Sequence, residues 1–224
     1  MIISDKQVII DSFDKIARFD DAWDQNRFYQ NLILKFVPKA CRNALDIGCG
    51  TGEFTRLLSK RARRVVGIDI SEKMIQQAIE RNFAVNIVYQ TADFEKFETK
   101  ERFDLIISIA ALHHLELEAA LKKTESLLAQ NGVLVILDLY ERKGLAGRLL
   151  DILARLLNTI FLKIKRRKKL LSQAETDAWI AHKHIDKYLD FGELKRIYSR
   201  QFKNFKIKRL LFWRYLLVYK KPAL

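Results

Sequence analysis

Leu45-Asp46-Ile47-Gly48-Cys49-Gly50-Thr51-Gly52 is the stretch that decides the fold. It closes an apolar run, residues 43–47, with three alternate glycines, and residues 54–61 beyond them have helical periodicity. A strand passing through such a cluster into a helix is the opening unit of an α/β sheet. Its glycines let the backbone turn tightly and let a ligand approach where a Cβ would stand in the way. A second strand is read at 64–69 and ends in Asp69, 21 residues after Gly48. A carboxylate there can accept hydrogen bonds from both hydroxyls of a ribose. These two strands predict an adenosine-type cofactor site at the carboxyl edge of the sheet.

Spacing narrows the cofactor. In the dinucleotide fingerprint G-x-G-x-x-G the last glycine would fall at position 53, which is Glu53 here. A carboxylate at a helix N-terminus repels a pyrophosphate. A phosphate-free cofactor carrying a sulfonium suits this acidic loop better. A glycine-rich turn with no ligand is the bland alternative.

Outward from this unit, strands and helices alternate. Ser71 caps a helix over 71–81, and further strands fall at 86–90, 103–109 and 133–139. A helix over 116–130 precedes the last of these, with Asn131-Gly132 as the turn between them. The apolar strand runs fit a doubly wound, mostly parallel sheet covered on both faces. The first 40 residues read as helical, with Ile9, Phe13, Ile16 and Ala17 and then Phe28, Leu32, Leu34 and Phe36 at apolar positions, closed by Pro38. Beyond Tyr140, residues 144–171 form a long candidate helix, shorter ones follow at 176–189 and 191–201, and strands at 205–210 and 214–219 make a closing antiparallel hairpin. The expectation is one domain of 224 residues with a seven-stranded sheet: a helical cap over 1–40, a cofactor-binding core over 41–140, a basic helical lid over 141–201 and the hairpin over 202–224.

The ordered set L-D-I-G-C-G-T-G, V-V-G-I-D-I-S, A-D-F and F-D-L-I-I-S-I-A-A-L-H-H-L resembles the class I S-adenosylmethionine-dependent methyltransferases. The resemblance extends over residues 13–140 and implies a small-molecule enzyme of that family, with S-adenosylmethionine as cofactor and S-adenosylhomocysteine as product. It implies that Asp46, Gly48, Cys49, Gly50 and Gly52 line the methionine part, and that Asp69 holds the ribose. Ile70 and Met74 would pack on the adenine, Asp93 would accept from its amino group, and Ala92 and Phe94 would lie beside it. Backbone at Ile109 and Ala110 would meet the cofactor amine. Trp23-Asp24-x-Asn26-x-x-Tyr29 is similar to the lead-in of some members, which would put Asn26 and Tyr29 over the cofactor.

Methyl transfer from a sulfonium is an in-line displacement with a neutral leaving group, so much of the rate comes from holding the nucleophile in line. A base helps when the acceptor is a hydroxyl and is unnecessary for a thiolate or carbanion. His113 and His114, after the fourth strand, are the first candidates for base or substrate contact, with a helix-entry role as the bland reading. His182 and His184 are the second pair; His182 and Asp186 are spaced i,i+4 and would pair on a helix, whereas solvated surface histidines are the simpler reading. There is no H-x-x-x-H and no cysteine pair, so no metal site is expected.

The formal charge of +14 is unevenly placed. Residues 1–140 hold 19 Lys and Arg against 20 Asp and Glu, and residues 141–224 hold 22 against 7. Leu145, Leu149, Ile152, Leu153, Leu156, Leu157, Ile160, Phe161 and Ile164 form a broad apolar face over 144–171, followed by six cations within 163–169. The segment reads as a lid over the acceptor, as a peripheral contact with an anionic membrane, or as a track for nucleic-acid phosphates. The favoured expectation is methylation of a small, apolar or amphipathic acceptor; an RNA methyltransferase and a non-catalytic cofactor-binding protein are the alternatives. With no apolar run long enough to span a bilayer and no leader pattern at the N-terminus, the cytoplasm is the expected location.

Overall fold

The strands lie in the order β3-β2-β1-β4-β5-β7-β6 in a computed structural model that describes residues 3–17, 25–142 and 188–223 together with Gln173 and Asp177. β1 (Cys41–Ile47), β2 (Ala62–Asp69), β3 (Ile87–Thr91), β4 (Phe103–Ile109) and β5 (Leu128–Leu139) are mutually parallel. β7 (Arg214–Lys220) pairs antiparallel with both β5 and the outer strand β6 (Phe205–Arg209). The expected seven-stranded sheet with its closing hairpin is therefore the observed architecture. The order reverses between β1 and β4, and the crevice at the carboxyl ends of such a switch point is where open α/β sheets bind ligands.

Central strands are apolar on both faces because both faces are covered. On one face Val66, Ile106 and Ile136 pack with Leu121 of α5 (Leu117–Leu127) and with Leu194 and Tyr198 of α6 (Phe191–Gln201). On the other, Val65, Leu105, Ile107 and Val135 meet Ile33 of α2 (Gln25–Ile33) and Phe54 and Leu58 of α3 (Glu53–Leu58). Each such aliphatic side chain withdrawn from water contributes roughly 1.5–3 kcal/mol. The hairpin is joined to α6 by a buried 2.7 Å contact between the Tyr198 and Tyr215 hydroxyls.

Two expected boundaries move. α5 ends at Leu127 and β5 begins at Leu128, so Asn131-Gly132 is a bulge within the strand and not the turn that opens it. The β4–β5 register passes from Phe103↔Leu128 to Leu105↔Val133, and Asn131 takes a φ of 61° to absorb the extra residues. A Cβ on Gly132 would lie 2.9 Å from the Phe103 carbonyl oxygen, which keeps that position to glycine. The candidate lid helix over 144–171, most of the helix expected over 176–189, and His182 and His184 lie outside the described residues; Tyr188 and Leu189 belong to no helix or strand. No helix among the described residues is long and apolar enough to cross a membrane.

Candidate functional site

The glycine loop hangs from the end of β2: Gly48 and Cys49 both donate their N–H groups to the Ile68 carbonyl at 2.9 Å. Gly48 has a φ of 70°, and a Cβ there would collide with that of Ala111, so the loop and the segment after β4 touch through a missing side chain. Gly52 rests on the Tyr89 ring, whose hydroxyl lies 3.0 Å from the Asn82 carbonyl oxygen. Gly67, in the middle of β2, leaves room for that ring and for the Cys49 thiol. By contrast, a Cβ on Gly50 would meet nothing within 4 Å, so the open side of the loop faces the crevice.

Three carboxylates stand along this edge. Asp46 is buried at 2% exposure and accepts a 2.7 Å hydrogen bond from the Thr55 hydroxyl. Burial, and then the charge of Asp69, push its carboxyl up to about 7 against the favourable Thr55 bond. Asp69 accepts from the Gly50 and Ser71 N–H groups, each at 2.9 Å. Burial raises its carboxyl too, opposed by those backbone donors. Asp93 is bonded at 2.6 Å by Lys6 of α1 (Ile3–Ile16). Burial, with Asp69 and Asp46 beside it, drives the Cys49 thiol well above its ordinary range, so it stays protonated and is no nucleophile.

Helix α1 covers this edge. Lys6 also reaches Glu95 at 2.5 Å, while Asp14 accepts from the Ser71 hydroxyl at 2.6 Å and pairs with Lys73 at 3.2 Å. Ser71 caps α4 (Glu72–Asn82) as expected, accepting from the Met74 N–H, and Met74 packs with Ile16, Ala17 and Phe13. Ile70 is half-buried, and the Ala92 N–H donates to the Asp69 carbonyl at 2.8 Å. Phe94 is a core residue, with the Lys123 ammonium 5.5 Å from its ring centre. Ala110, just past Ile109, takes a left-handed φ of 52° as the chain leaves β4. Asn26 and Tyr29 are held against the β6–β7 turn: Asn26 accepts from the Arg214 guanidinium at 2.9 Å and Tyr29 donates to the Leu211 carbonyl at 3.0 Å.

His113 and His114 sit in a single 3-10 turn, Leu112–His114, with ring centres 3.9 Å apart. Asp138, one residue before the end of β5, meets His113 twice: its carboxylate accepts the His113 N–H at 3.0 Å and lies 2.7 Å from Nδ1. The sequence reading passed over Asp138, although a charge within an apolar strand destined for burial was its signal. Lys6, Asp14 and Tyr188 gave no comparable signal, since their contacts join distant parts of the chain.

The edge fits S-adenosylmethionine on its own terms. Asp46, Asp69 and Asp93 suit the cations, ribose hydroxyls and amino group of that molecule, Gly50 leaves space for it, and a pyrophosphate would face unfavourable charge. Glu53 opens α3 and is paired with Arg27 at 2.6 Å. Among the described residues no group of His, Cys, Asp and Glu is arranged to hold a metal ion.

The family described as "Methyltransferase domain" matches residues 45–136, the segment that builds this edge. Residues 45–136 thus carry a methyltransferase domain. This methyltransferase is 29% identical over 168 residues to nodulation protein S of Bradyrhizobium diazoefficiens, covering 71% of the present chain and 80% of that one. Other curated relatives align over 48–60% of their own length. Its fold matches N-methyltransferase NodS from Bradyrhizobium japonicum WM9 in complex with S-adenosylhomocysteine, with a TM-score of 0.66, 19% identity and coverage of 96% and 99% of the two chains. A DhpI-SAM-HEP complex matches with a TM-score of 0.69, 16% identity and coverage of 98% and 99%.

The raised Asp46 carboxyl has a measurable consequence. The folded protein keeps this proton up to about pH 7, whereas an unfolded chain releases it near 4. The resulting stability is fully present below about pH 4 and is lost as pH rises through 7. Asp46→Asn is expected to raise the Tm of the ligand-free protein at pH 8 by ~3–6 °C, and by less at pH 5, on the scale of a kcal/mol or two in a domain of this size. The same variant loses affinity for S-adenosylhomocysteine, whose ammonium group favours the carboxylate. Scanning fluorimetry at the two pH values and calorimetric titration check both halves.

Proposed function

We propose that this methyltransferase modifies a small, apolar or amphipathic acceptor held beyond the carboxyl ends of β4 and β5. The observation that carries this reading is the ring cluster there. His113 lies 5.3 Å from Tyr188 between ring centres, and His114 meets the edge of Phe13 at 5.4 Å. Next to it, the Gly48 backbone abuts Ala111. The apolar sequence of 144–171 follows this edge directly in the chain, and its composition matches an acceptor of that chemistry.

In this reading Asp69 holds the ribose and Asp93 the adenine amino group, with Ile70 and Met74 on the adenine faces and Ala92 and Phe94 beside it. Asp46, the 48–52 loop and the backbone at Ile109 and Ala110 hold the methionine end. Asn26 and Tyr29 close the acceptor side through the β6–β7 turn, and His113, with His114 against it, is the catalytic group. His182 and His184 are secondary candidates on sequence alone. Peripheral attachment of a cytoplasmic enzyme through the cations of 163–169 likewise rests on sequence; vesicle co-sedimentation tests it, and equal binding to anionic and neutral vesicles would sink it.

The central test is transfer of labelled methyl from S-adenosylmethionine into fractionated lipid, small-molecule and RNA extracts. Label is expected in the small-molecule or lipid fraction. Label confined to RNA would overturn the proposal, as would a protein that binds cofactor and transfers nothing.

A further inference from the structure

We propose that Asp138 is a positioning residue for His113, and that the acceptor atom is accordingly a nitrogen or oxygen that arrives carrying a proton. The inference rests on the methyltransferase reading and deepens it by naming the class of acceptor.

Placement comes first. Ribose and adenine belong to the ends of β2 and β3, through Asp69 and Asp93. The glycine loop at the end of β1 carries the molecule toward β4, and neighbouring strands are ~4.8 Å apart. The next strand ends along the edge are those of β4 and β5. The His113 turn and Asp138 stand there, and Ala111, two residues before His113, touches Gly48. A cofactor held in this way would present its transferable methyl toward these two residues.

The geometry is that of an oriented base. Asp138 is 1% exposed and the His113 side chain 7%. One carboxylate holds both the backbone N–H and the ring of the same histidine, which fixes the ring's position as well as its protonation pattern. Leu139 adds a third donor to Asp138, its N–H at 2.7 Å. Burial by itself would lift the Asp138 carboxyl; the His113 ring, its hydrogen bond, the Leu139 N–H and His114 together bring it below the ordinary carboxylate value. It therefore remains an anion across the working range. An anion at Nδ1 keeps the neutral ring's proton on that nitrogen and makes Nε2 the basic one. Among the described residues, the titratable groups around the dyad are His114 in the same turn, Tyr188 in the chain before α6, and Tyr198 and Tyr215, which interact with Asp138.

Such a base is wasted on a thiolate or a carbanion and is useful to an amine or hydroxyl, which must shed a proton. The acceptor's lone pair forms the new bond to the methyl carbon as the carbon–sulfur bond breaks, and that bond's electrons remain on sulfur, which becomes a neutral thioether. The acceptor's proton passes to Nε2 of His113, and the resulting imidazolium is balanced by the Asp138 carboxylate.

Histidine-ring nitrogen NMR on the full chain with S-adenosylhomocysteine reads the arrangement without any acceptor, with His113→Gln to assign the signal. The neutral His113 ring is expected as the Nδ1–H tautomer, and Asp138→Asn is expected to shift it toward Nε2–H. An Nε2–H ring in the wild type overturns the proposal. In methyl transfer to the responsive extract fraction, His113→Gln and Asp138→Asn should each lower kcat by roughly 10²-fold or more with KM for the cofactor little changed. The low-pH limb of the wild-type kcat profile should vanish in His113→Gln. Full kcat in that variant, or product label on carbon or on a former thiol, also overturns it. Should Asp138→Asn fail to fold, Asp138→Glu replaces it and is expected to retain the tautomer and part of the rate. Absence of cofactor binding or of any transfer by the wild type would instead count against the methyltransferase reading, leaving the tautomer measurement to decide the dyad.

Discussion

Asp69→Ala is expected to weaken S-adenosylhomocysteine binding by roughly a hundredfold or more, measured by calorimetric titration. A carboxylate offers about four acceptor positions. The Gly50 and Ser71 N–H groups occupy two of them, each at 2.9 Å, and hold the side chain at the end of β2 with lone pairs left for ribose hydroxyls. Hydrogen bonds to a charged acceptor contribute ~1.5–3 kcal/mol each, and two of them amount to a factor of at least ~10² in affinity. The substitution also strips the Gly50 N–H of its partner, which loosens the loop that carries the methionine end. Asp69→Asn is expected to fall between the two, because its amide keeps one acceptor and turns a donor toward a backbone donor. Affinity within about twofold of wild type in Asp69→Ala would contradict the ribose assignment.

This carboxylate was legible in the sequence because an acid at the end of an apolar strand, a fixed distance beyond a glycine cluster, has few other uses. β4 and α6 were legible to the residue for related reasons. Phe103 to Ile109 is buried except at the partly exposed Asp104 and Ile109, and Asp190 with Glu193 forms a capping box in front of α6. The start of β5 was not legible, since Leu128 joins the sheet by pairing with Phe103 and nothing local distinguishes it from the helix before it. The tie between the expected helical cap and this edge was hidden for a different reason: Lys6 and Asp93 are 87 positions apart, and an ion pair leaves no periodic trace. Asn26 and Tyr29 read as cofactor contacts by resemblance; their partners Arg214 and Leu211 follow nearly two hundred positions later and left no sequence trace, although Arg214 pairs with Leu139 at the end of β5. Part of the basic excess also gains a plainer role. Lys206 and Lys208 are exposed on β6, the outermost strand, where charge discourages edge-to-edge pairing with another chain.

Gly48→Ala and Gly50→Ala separate the loop's two duties, because both residues share one backbone problem and differ in surroundings. Their φ values are 70° and 53°, so an L side chain at either costs ~1 kcal/mol or somewhat more in left-handed strain. At Gly48 the new methyl is driven into Ala111 within the protein. The segment from Ala110 to His113 must then shift, and with it the ring that Asp138 holds. Gly48→Ala is expected to lower Tm by ~5–10 °C, on the scale of a few kcal/mol in a domain of this size, and to disturb the His113 ring signal. At Gly50 the methyl enters open space in the ligand-free protein, so only the strain appears in Tm, a loss of ~2–4 °C. That open space is the side from which the cofactor approaches the loop, and Gly50→Ala is expected to lose at least ~10-fold in S-adenosylhomocysteine affinity, a contact-scale cost of about 1.4 kcal/mol. Fluorimetry without ligand and titration with it give the two orders of effect: Gly48→Ala the larger in stability, Gly50→Ala the larger in affinity per degree of Tm lost. A Gly50→Ala protein that binds at full affinity would show that the cofactor does not pass over this side of the loop.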